Sequence, residues 1–117
     1  MSRRIARLNG LFQEELSELI RDEVRDPRLA EVISITRVDI SPDLENAVVH
    51  VSVLGDEDEK RESIQALEHA APFLRRQLIS RIRIRRIPNL HFLLDQSIEE
   101  AARILALMKQ VGEQRAP

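Results

Sequence analysis

The sequence predicts a single α+β domain, and three observations lead to that class. Apolar residues recur every three or four positions in four segments, which is the spacing of amphipathic helices. Two neighbouring segments alternate β-branched with polar residues, and a proline-containing turn joins them. The chain has 117 residues, of which 43% are apolar, so it can form one hydrophobic core.

The first element is a long amphipathic helix over about residues 3–25. Asp26 and Pro27 end it, because the residue before a proline is displaced from the helical region. Its apolar stripe consists of Ile5, Leu8, Leu11, Phe12, Leu16, Leu19, Ile20 and Val24.

Two strands follow and are predicted to form an antiparallel hairpin. The first covers residues 31–40 and is rich in β-branched residues, but its alternation slips near Thr36, which indicates a bulge. A turn at Ser41, Pro42 and Asp43 connects it to the second strand, in which Ala47 and the valines up to Val53 alternate with other residues.

Helical periodicity then runs from Asp56 to Ala71 and resumes at Phe73. A proline suits the first turn of a helix and disrupts a helix interior. The sequence therefore predicts two helices that meet at a kink formed by Ala70, Ala71 and Pro72.

A third strand is predicted from Ile84 to Leu94, and Pro88 places it at a sheet edge or gives it an irregular start. A capping box from Ser97 to Glu100 opens a final helix, and Gly112 ends it. We expect one domain over residues 1–112 and a flexible C-terminal tail over residues 113–117.

Composition excludes several classes of function. The chain has no cysteine, which rules out disulfides and thiol catalysis, and no apolar run reaches the length of a membrane span. The three glycines are far apart, and His50, His69 and His91 are scattered over different elements. We read the acidic run from Asp56 to Glu59 as a helix start that matches the helix dipole, in preference to a cation site. We therefore expect no catalytic residue, no metal and no cofactor.

Charge is strongly segregated along the chain, although the net charge is only −2. Residues 69–94 contain no acid, and the chain has sixteen arginines against two lysines. Arginine presents a planar fork that suits phosphate, and a polarised chain typically turns a cationic face to a polyanion. The alternative is an arginine-lined face that is merely solvated. The candidate RNA-binding residues are Arg3, Arg4, Arg7, Arg75, Arg76, Arg81, Arg83, Arg85 and Arg86.

The predicted order of elements, αββααβ followed by a C-terminal helix, is that of a type II KH domain. KH modules ordinarily hold a nucleic-acid backbone with a G-x-x-G loop between paired helices. Here His69, Ala70, Ala71 and Pro72 occupy that junction, so the fold is KH-like with a kinked helix pair in place of the loop.

The sequence resembles the bacterial ribosome-binding factor A family. The matching segments are RDEVRDPRLAEVISITRVDISPDLENAVVHVSVLGDED and ALEHAAPFLRRQLISRIRIRRIPNLHFLLDQSIEEAARI, which together extend from about Arg21 to Ile104. The family replaces the G-x-x-G loop with an Ala-x-Gly kink. Ala70 matches the alanine of that motif, whereas Pro72 stands at the position of the glycine.

This resemblance implies a cytoplasmic, non-enzymatic assembly factor. Members of the family bind the free 30S small ribosomal subunit late in its maturation, support processing of the 16S rRNA 5′ end and matter for growth in the cold. The implied partners are the 30S subunit and 16S rRNA, with an assembly GTPase as a candidate cooperating factor. We expect a monomer that does not bind membranes.

Two other classes of function remain as alternatives. The first is a protein-interaction adaptor that works through the acidic patch from Asp56 to Glu62. The second is an interfacial membrane module that uses the first helix. The apolar stripe of that helix is needed for the core, and its acidic residues oppose anionic lipid.

Overall fold

The computed structural model describes residues 2–115, with side chains up to residue 112. The helices and strands confirm the α+β class and follow one another in the order αββαβα. Their bounds are Arg3–Glu23 for α1, Ile33–Ile40 for β1, Asn46–Val53 for β2, Glu57–Arg81 for α2, Asn89–Leu94 for β3 and Ser97–Arg115 for α3.

The three strands form one sheet in the order β1-β2-β3. β1 and β2 pair antiparallel, as the hairpin prediction requires, and the register shifts between Ile35 and Arg37, where a bulge was expected. β3 lies at an edge and pairs parallel to β2, with Ala47 opposite Leu90 and Val51 opposite Leu94. A parallel partner requires a long connection, which α2 supplies.

The core lies between one face of the sheet and the helices α1 and α2. Every second residue of β2 is buried, so the helices cover a single face of the sheet. Removing this apolar surface from water is the main favourable contribution to folding. The fully buried side chains include Phe12, Leu16 and Leu19 of α1, Val38, Val49 and Val51 of the sheet, and Leu67, Leu74 and Leu78 of α2.

Helix side chains cap the backbone at both edges of the sheet. The side-chain oxygen of Asn9 accepts from the Ile40 N–H at 2.9 Å, and the Gln13 amide donates to the Ile35 carbonyl at 3.1 Å. At the other edge, a Glu68 carboxylate oxygen accepts from the Phe92 N–H at 3.1 Å. Unpaired edge groups would otherwise be available to another strand.

The sequence predicted two helices where the structure has one. α2 runs without interruption from Glu57 to Arg81 and contains Pro72. Proline removes one backbone donor, so the Glu68 carbonyl loses its usual intrahelical partner. Leu67 precedes the proline, Leu74 and Leu78 follow it, and all three are fully buried in the core. Packing on both sides of Pro72 therefore keeps the two halves in one helix.

The third strand is shorter than predicted, because pairing begins at Asn89 rather than near Ile84. Arg75 holds the irregular segment before it: the guanidinium donates to the Ile87 carbonyl at 2.9 Å and to the Pro88 carbonyl at 3.2 Å. Because these carbonyls accept hydrogen bonds from a side chain, the segment does not continue the backbone pairing of β3 with β2.

Two expectations for the final helix are corrected. Ser97 is the first residue of α3 rather than its cap, and its N–H donates to Asp95 Oδ1 at 3.0 Å. The helix also continues past Gly112 to Arg115, because a glycine permits a helix end without enforcing one.

The division into a domain over residues 1–112 and a tail over residues 113–117 stays a prediction. Among the described helices, none is long and apolar enough to cross a membrane.

The segment between α1 and β1 is fixed by two polar contacts. Ser63 of α2 is fully buried, and its hydroxyl oxygen accepts from the Ala30 N–H at 2.9 Å. Asp26 receives hydrogen bonds from Arg28 through the backbone N–H at 3.0 Å and through the guanidinium at 2.7 and 3.1 Å. These bonds from Arg28 lower the pKa of the Asp26 carboxyl to about 2.

Replacing Ser63 by alanine should lower the free energy of unfolding by about 1–3 kcal/mol, because the Ala30 N–H then loses its partner in a partly buried place. Ser80 of the same helix is exposed and provides the matched control, so Ser80→Ala should change stability by less than about 0.5 kcal/mol. Urea denaturation measures both. Equal effects of the two substitutions would contradict the role assigned to Ser63.

Stability should fall in acid as Asp26 becomes protonated. The pKa of Asp26 in the folded chain is below its ordinary value of 3.8. The stabilisation that the ionised carboxyl provides is therefore complete above pH 3.8 and is lost as the pH falls towards 2. Asp26→Asn and Arg28→Ala should each flatten the dependence of the melting temperature on pH between about 4 and 2. Melting curves across this range give the comparison with the parent chain. A parent-like slope in both variants would show that this pair contributes nothing to the dependence.

Candidate nucleic-acid interface

The nine candidate arginines fall on three parts of the fold. Three are in the first two turns of α1, three are in the second half of α2, and three are in the segment between α2 and β3. They are, in that order, Arg3, Arg4 and Arg7, then Arg75, Arg76 and Arg81, then Arg83, Arg85 and Arg86.

The topology brings the first and third groups to the same end of the domain. Asn9 of α1 bonds to Ile40 just before the turn that joins β1 to β2. Glu45 lies within that turn, and its carbonyl accepts from the Asn89 N–H at 2.9 Å, where β3 begins. The N-terminal half of α1 and the segment before β3 therefore flank one turn. We call this surface the basic end; it comprises Arg3, Arg4, Arg7, Arg83, Arg85 and Arg86.

α1 begins at this end with an unfavourable charge arrangement. Its first turn contains no acidic residue, and Ser2 caps it through a hydrogen bond from the Ile5 N–H at 3.2 Å. The positive pole of the helix dipole lies there as well, and it adds to the potential of the arginines. Arg3, Arg4 and Arg7 are all exposed, so an anion can reach them.

Two of the candidate arginines already have structural partners. Arg75 donates to the carbonyls of the segment before β3, as described above. Arg81 forms ion pairs with Glu15 at 3.0 Å and Glu18 at 3.5 Å, and its side chain is only 29% exposed. Arg81 therefore connects the end of α2 to the middle of α1. RNA contact by these two residues stays a prediction, and any such contact would compete with a bond within the fold.

The remaining arginines of the second half of the chain are more available. Arg86 approaches Glu45 at 3.4 Å, but both side chains are more than half exposed, so water and salt weaken the pair. Within the described residues, Arg83 and Arg85 have neither an ion pair nor a side-chain hydrogen bond, and both are exposed. These two are the best placed to meet a phosphate.

Arg76 lies apart from the basic end. It lines a groove of about 360 Å³ together with Arg25, His69, Pro72 and Phe73. The groove separates the end of α1 from the middle of α2. Ala70 and Pro72 line it, and both Ala70 and Ala71 pack against the core. Arg25 was not among the predicted residues, because in the sequence it lies between acids, with Asp22 and Glu23 before it and Asp26 after it.

The opposite end of the molecule contains the acidic start of α2, and we call the surface formed by residues 56–62 the acidic end. Asp56 caps α2 and accepts from the Glu59 N–H at 2.8 Å, and Glu59 bonds back to the Asp56 N–H at 3.3 Å. This capping box explains the acidic run as a helix start. Gly55 precedes it because a Cβ there would lie 2.9 Å from the Glu59 carboxyl carbon. In the part of the chain that the structure describes, no group of three or more acidic or histidine side chains could hold a metal.

The aromatic side chains do not form a stacking platform. Phe12 and Phe92 are buried in the core, and Phe73 is half-buried beside the groove. Binding of single strands by stacking needs exposed rings along a groove. The exposed chemistry of the basic end is therefore that of cations which recognise phosphates and backbone shape.

Known proteins match this chain closely in sequence. The family model described as ribosome-binding factor A matches residues 4–108. Ribosome-binding factor A of Acetivibrio thermocellus is 43% identical over 111 residues, covering 95% of this chain and 90% of the relative. That of Thermomicrobium roseum is 42% identical over 114 residues, covering 97% of this chain and 88% of the relative.

Solved structures match as well. The crystal structure of ribosome-binding factor A from Thermus thermophilus has a TM-score of 0.71 and 30% identity, covering 80% of this chain and 97% of that chain. The Thermus thermophilus protein as fitted into the cryo-EM map of a 30S complex has a TM-score of 0.63 and 30% identity, covering 75% of this chain and 91% of that chain. By sequence and by fold, the chain belongs to the ribosome-binding factor A family.

Proposed function

We propose that this chain binds the small ribosomal subunit and contacts its rRNA through the basic end. The observation that carries the proposal is the placement at one end of the domain of two arginine groups that are far apart in sequence: Arg3, Arg4 and Arg7 at the start of α1, and Arg83 and Arg85 in the segment before β3. The relative from Thermus thermophilus, whose described complex is with the 30S subunit, supports the same partner.

The chemistry of the basic end fits RNA recognised by shape and phosphate. Arginine forms short bidentate hydrogen bonds with phosphate oxygens and is more weakly hydrated than lysine. Folded rRNA presents phosphates and 2′-hydroxyls at fixed positions, which a rigid cationic surface can match without reading base edges. Here Arg75 and Arg81 bond the elements that display the free arginines to the rest of the fold.

The finer features of the proposal come from the family resemblance. We infer a role on the free 30S subunit late in maturation, with support for processing of the 16S rRNA 5′ end and for growth in the cold. We also infer a cytoplasmic, non-catalytic factor that acts as a monomer, with an assembly GTPase as a candidate partner. A reduced level of mature 16S rRNA at low temperature in cells that carry basic-end variants would test this role.

Replacing Arg83 and Arg85 by alanine should weaken binding to purified 30S subunits and flatten its dependence on salt. Each lost phosphate contact should reduce the slope of log affinity against log salt by roughly 0.7 to 0.9. Arg61→Ala provides the matched control, because Arg61 is an exposed arginine at the acidic end that pairs with Asp58 at 2.8 Å. Filter binding over a salt series gives both slopes. A parent-like slope in the double variant, together with a reduced slope in Arg61→Ala, would overturn the placement.

Substitutions of Arg75 and Arg83 should distinguish an arginine that stabilises the fold from one that is free to bind RNA. Arg75→Ala leaves the carbonyls of Ile87 and Pro88 without their donor in a partly buried place, so we expect a loss of about 1–3 kcal/mol in unfolding free energy. Arg83→Ala should cost less than about 0.5 kcal/mol, because Arg83 is an exposed residue. Thermal and urea unfolding of the two variants test this assignment, and the reverse order of stabilities would refute it.

A further inference from the structure

The last helix presents an apolar face that the described part of the chain does not cover. Every residue from Ser97 to Gly112 is exposed. Six large apolar side chains of α3 are among them, with exposed fractions between 43% and 69%. A contiguous exposed apolar surface of this kind marks a site of interaction. The six are Ile98, Ile104, Leu105, Leu107, Met108 and Val111.

The spacing of these residues gives α3 a single binding face. Ile98, Ala101, Leu105 and Met108 follow one another at intervals of three and four, and Ile104, Val111 and Leu107 widen the stripe on one side. The opposite face carries Glu99, Arg103 and Gln110. Anchors at this spacing are those of a helix that lies in an apolar groove of a protein.

The first turn of α3 is fixed to the domain by polar contacts. The Lys60 ammonium donates to Glu99 Oε2 at 2.7 Å, and Lys60 is only 5% exposed. Asp95, just before the helix, accepts from the Thr36 hydroxyl at 2.6 Å and from the Ser97 N–H. These contacts hold the start of α3 to the domain, which lowers the ordering cost of binding.

The surroundings of this first turn determine what kind of partner fits. Residues 56–62 together with Glu99 and Glu100 contain seven carboxylates and two cations. Both cations already have partners, since Lys60 pairs with Glu99 and Arg61 pairs with Asp58. The base of α3 thus has a negative potential, which repels a nucleic acid and attracts a cationic protein surface.

We propose that α3 docks into an apolar groove with a cationic rim on a protein of the small ribosomal subunit. The inference rests on the proposed function only in naming the subunit as the source of the partner. It gives the molecule two contacts of different chemistry at opposite ends: arginines on rRNA at the basic end, and an apolar helix on a protein at the acidic end.

Site-specific photo-crosslinking tests the docking directly. A benzoylphenylalanine is placed at Leu105 in the apolar stripe, or at Arg103 on the polar face as the matched control, and the full-length chain is bound to purified 30S subunits. We expect Leu105 to crosslink to a subunit protein and Arg103 to do so much less. Crosslinks from Leu105 to rRNA, to a second copy of the chain or to its own domain would each overturn the proposal, as would the absence of any crosslink from bound chain.

Affinity measurements separate this inference from the proposed function. Leu105→Gln with Met108→Gln should weaken binding roughly tenfold or more by removing two central anchors, and should leave the salt slope unchanged because neither substitution adds a charge. Both side chains are exposed, so melting should stay at the parent value. Gln110→Ala, a neutral substitution on the polar face, is the control. Parent-like affinity of the double variant would refute docking by α3, while the salt slope of the Arg83 and Arg85 variant would still decide rRNA contact.

Discussion

The parallel pairing of β2 with β3 is the constraint on which the arrangement of the molecule depends. Parallel strands must begin at the same end of a sheet, so the chain has to return along the whole sheet between them. α2 makes this return in 25 residues, a length of about 37 Å. Its N-terminus therefore lies beside the ends of β2 and β3, and its C-terminus lies where both strands begin. α1 starts at that second end as well, because Asn9 bonds to the last residue of β1.

This topology converts charge segregation in the sequence into charge separation in space. The acidic start of α2 lies at one end with the base of α3, and the arginines that follow α2 lie at the other end with the start of α1. Arg81 binds Glu15 and Glu18 across the helix pair, so the two helices cannot slide without breaking buried packing and ion pairs together. A single polyanion can then meet only one end favourably, which is the basis for assigning a different partner to each end.

Side chains of the helices also bond to backbone groups at the unpaired edges of the small sheet. Three strands leave two edges, and Asn9, Gln13 and Glu68 each satisfy a backbone group at one of them. The backbone carbonyl of Glu68 itself has no donor within the helix, because Pro72, four residues later, lacks an N–H. The proline is accommodated because packing of Leu67, Leu74 and Leu78 supplies the stability that one hydrogen bond would have contributed.

The sequence by itself determined the α+β class, the hairpin with its bulge, the amphipathic first helix and the division of charge, because each depends on local periodicity or on residue type. Local rules predicted a break at Pro72, a strand from Ile84 and a helix end at Gly112, and tertiary structure decided otherwise in each case. Core packing on both sides of Pro72 keeps α2 continuous, and Arg75 takes the carbonyls that would have extended β3. The candidate site shows the same division, because the sequence identified nine arginines but not their surroundings. Only the fold showed that Arg75 and Arg81 have structural partners and that Arg76 lines a groove with Arg25. Only the fold showed that the described part of the chain leaves the apolar face of α3 exposed. Such assignments depend on contacts between residues distant in sequence, which no local pattern records.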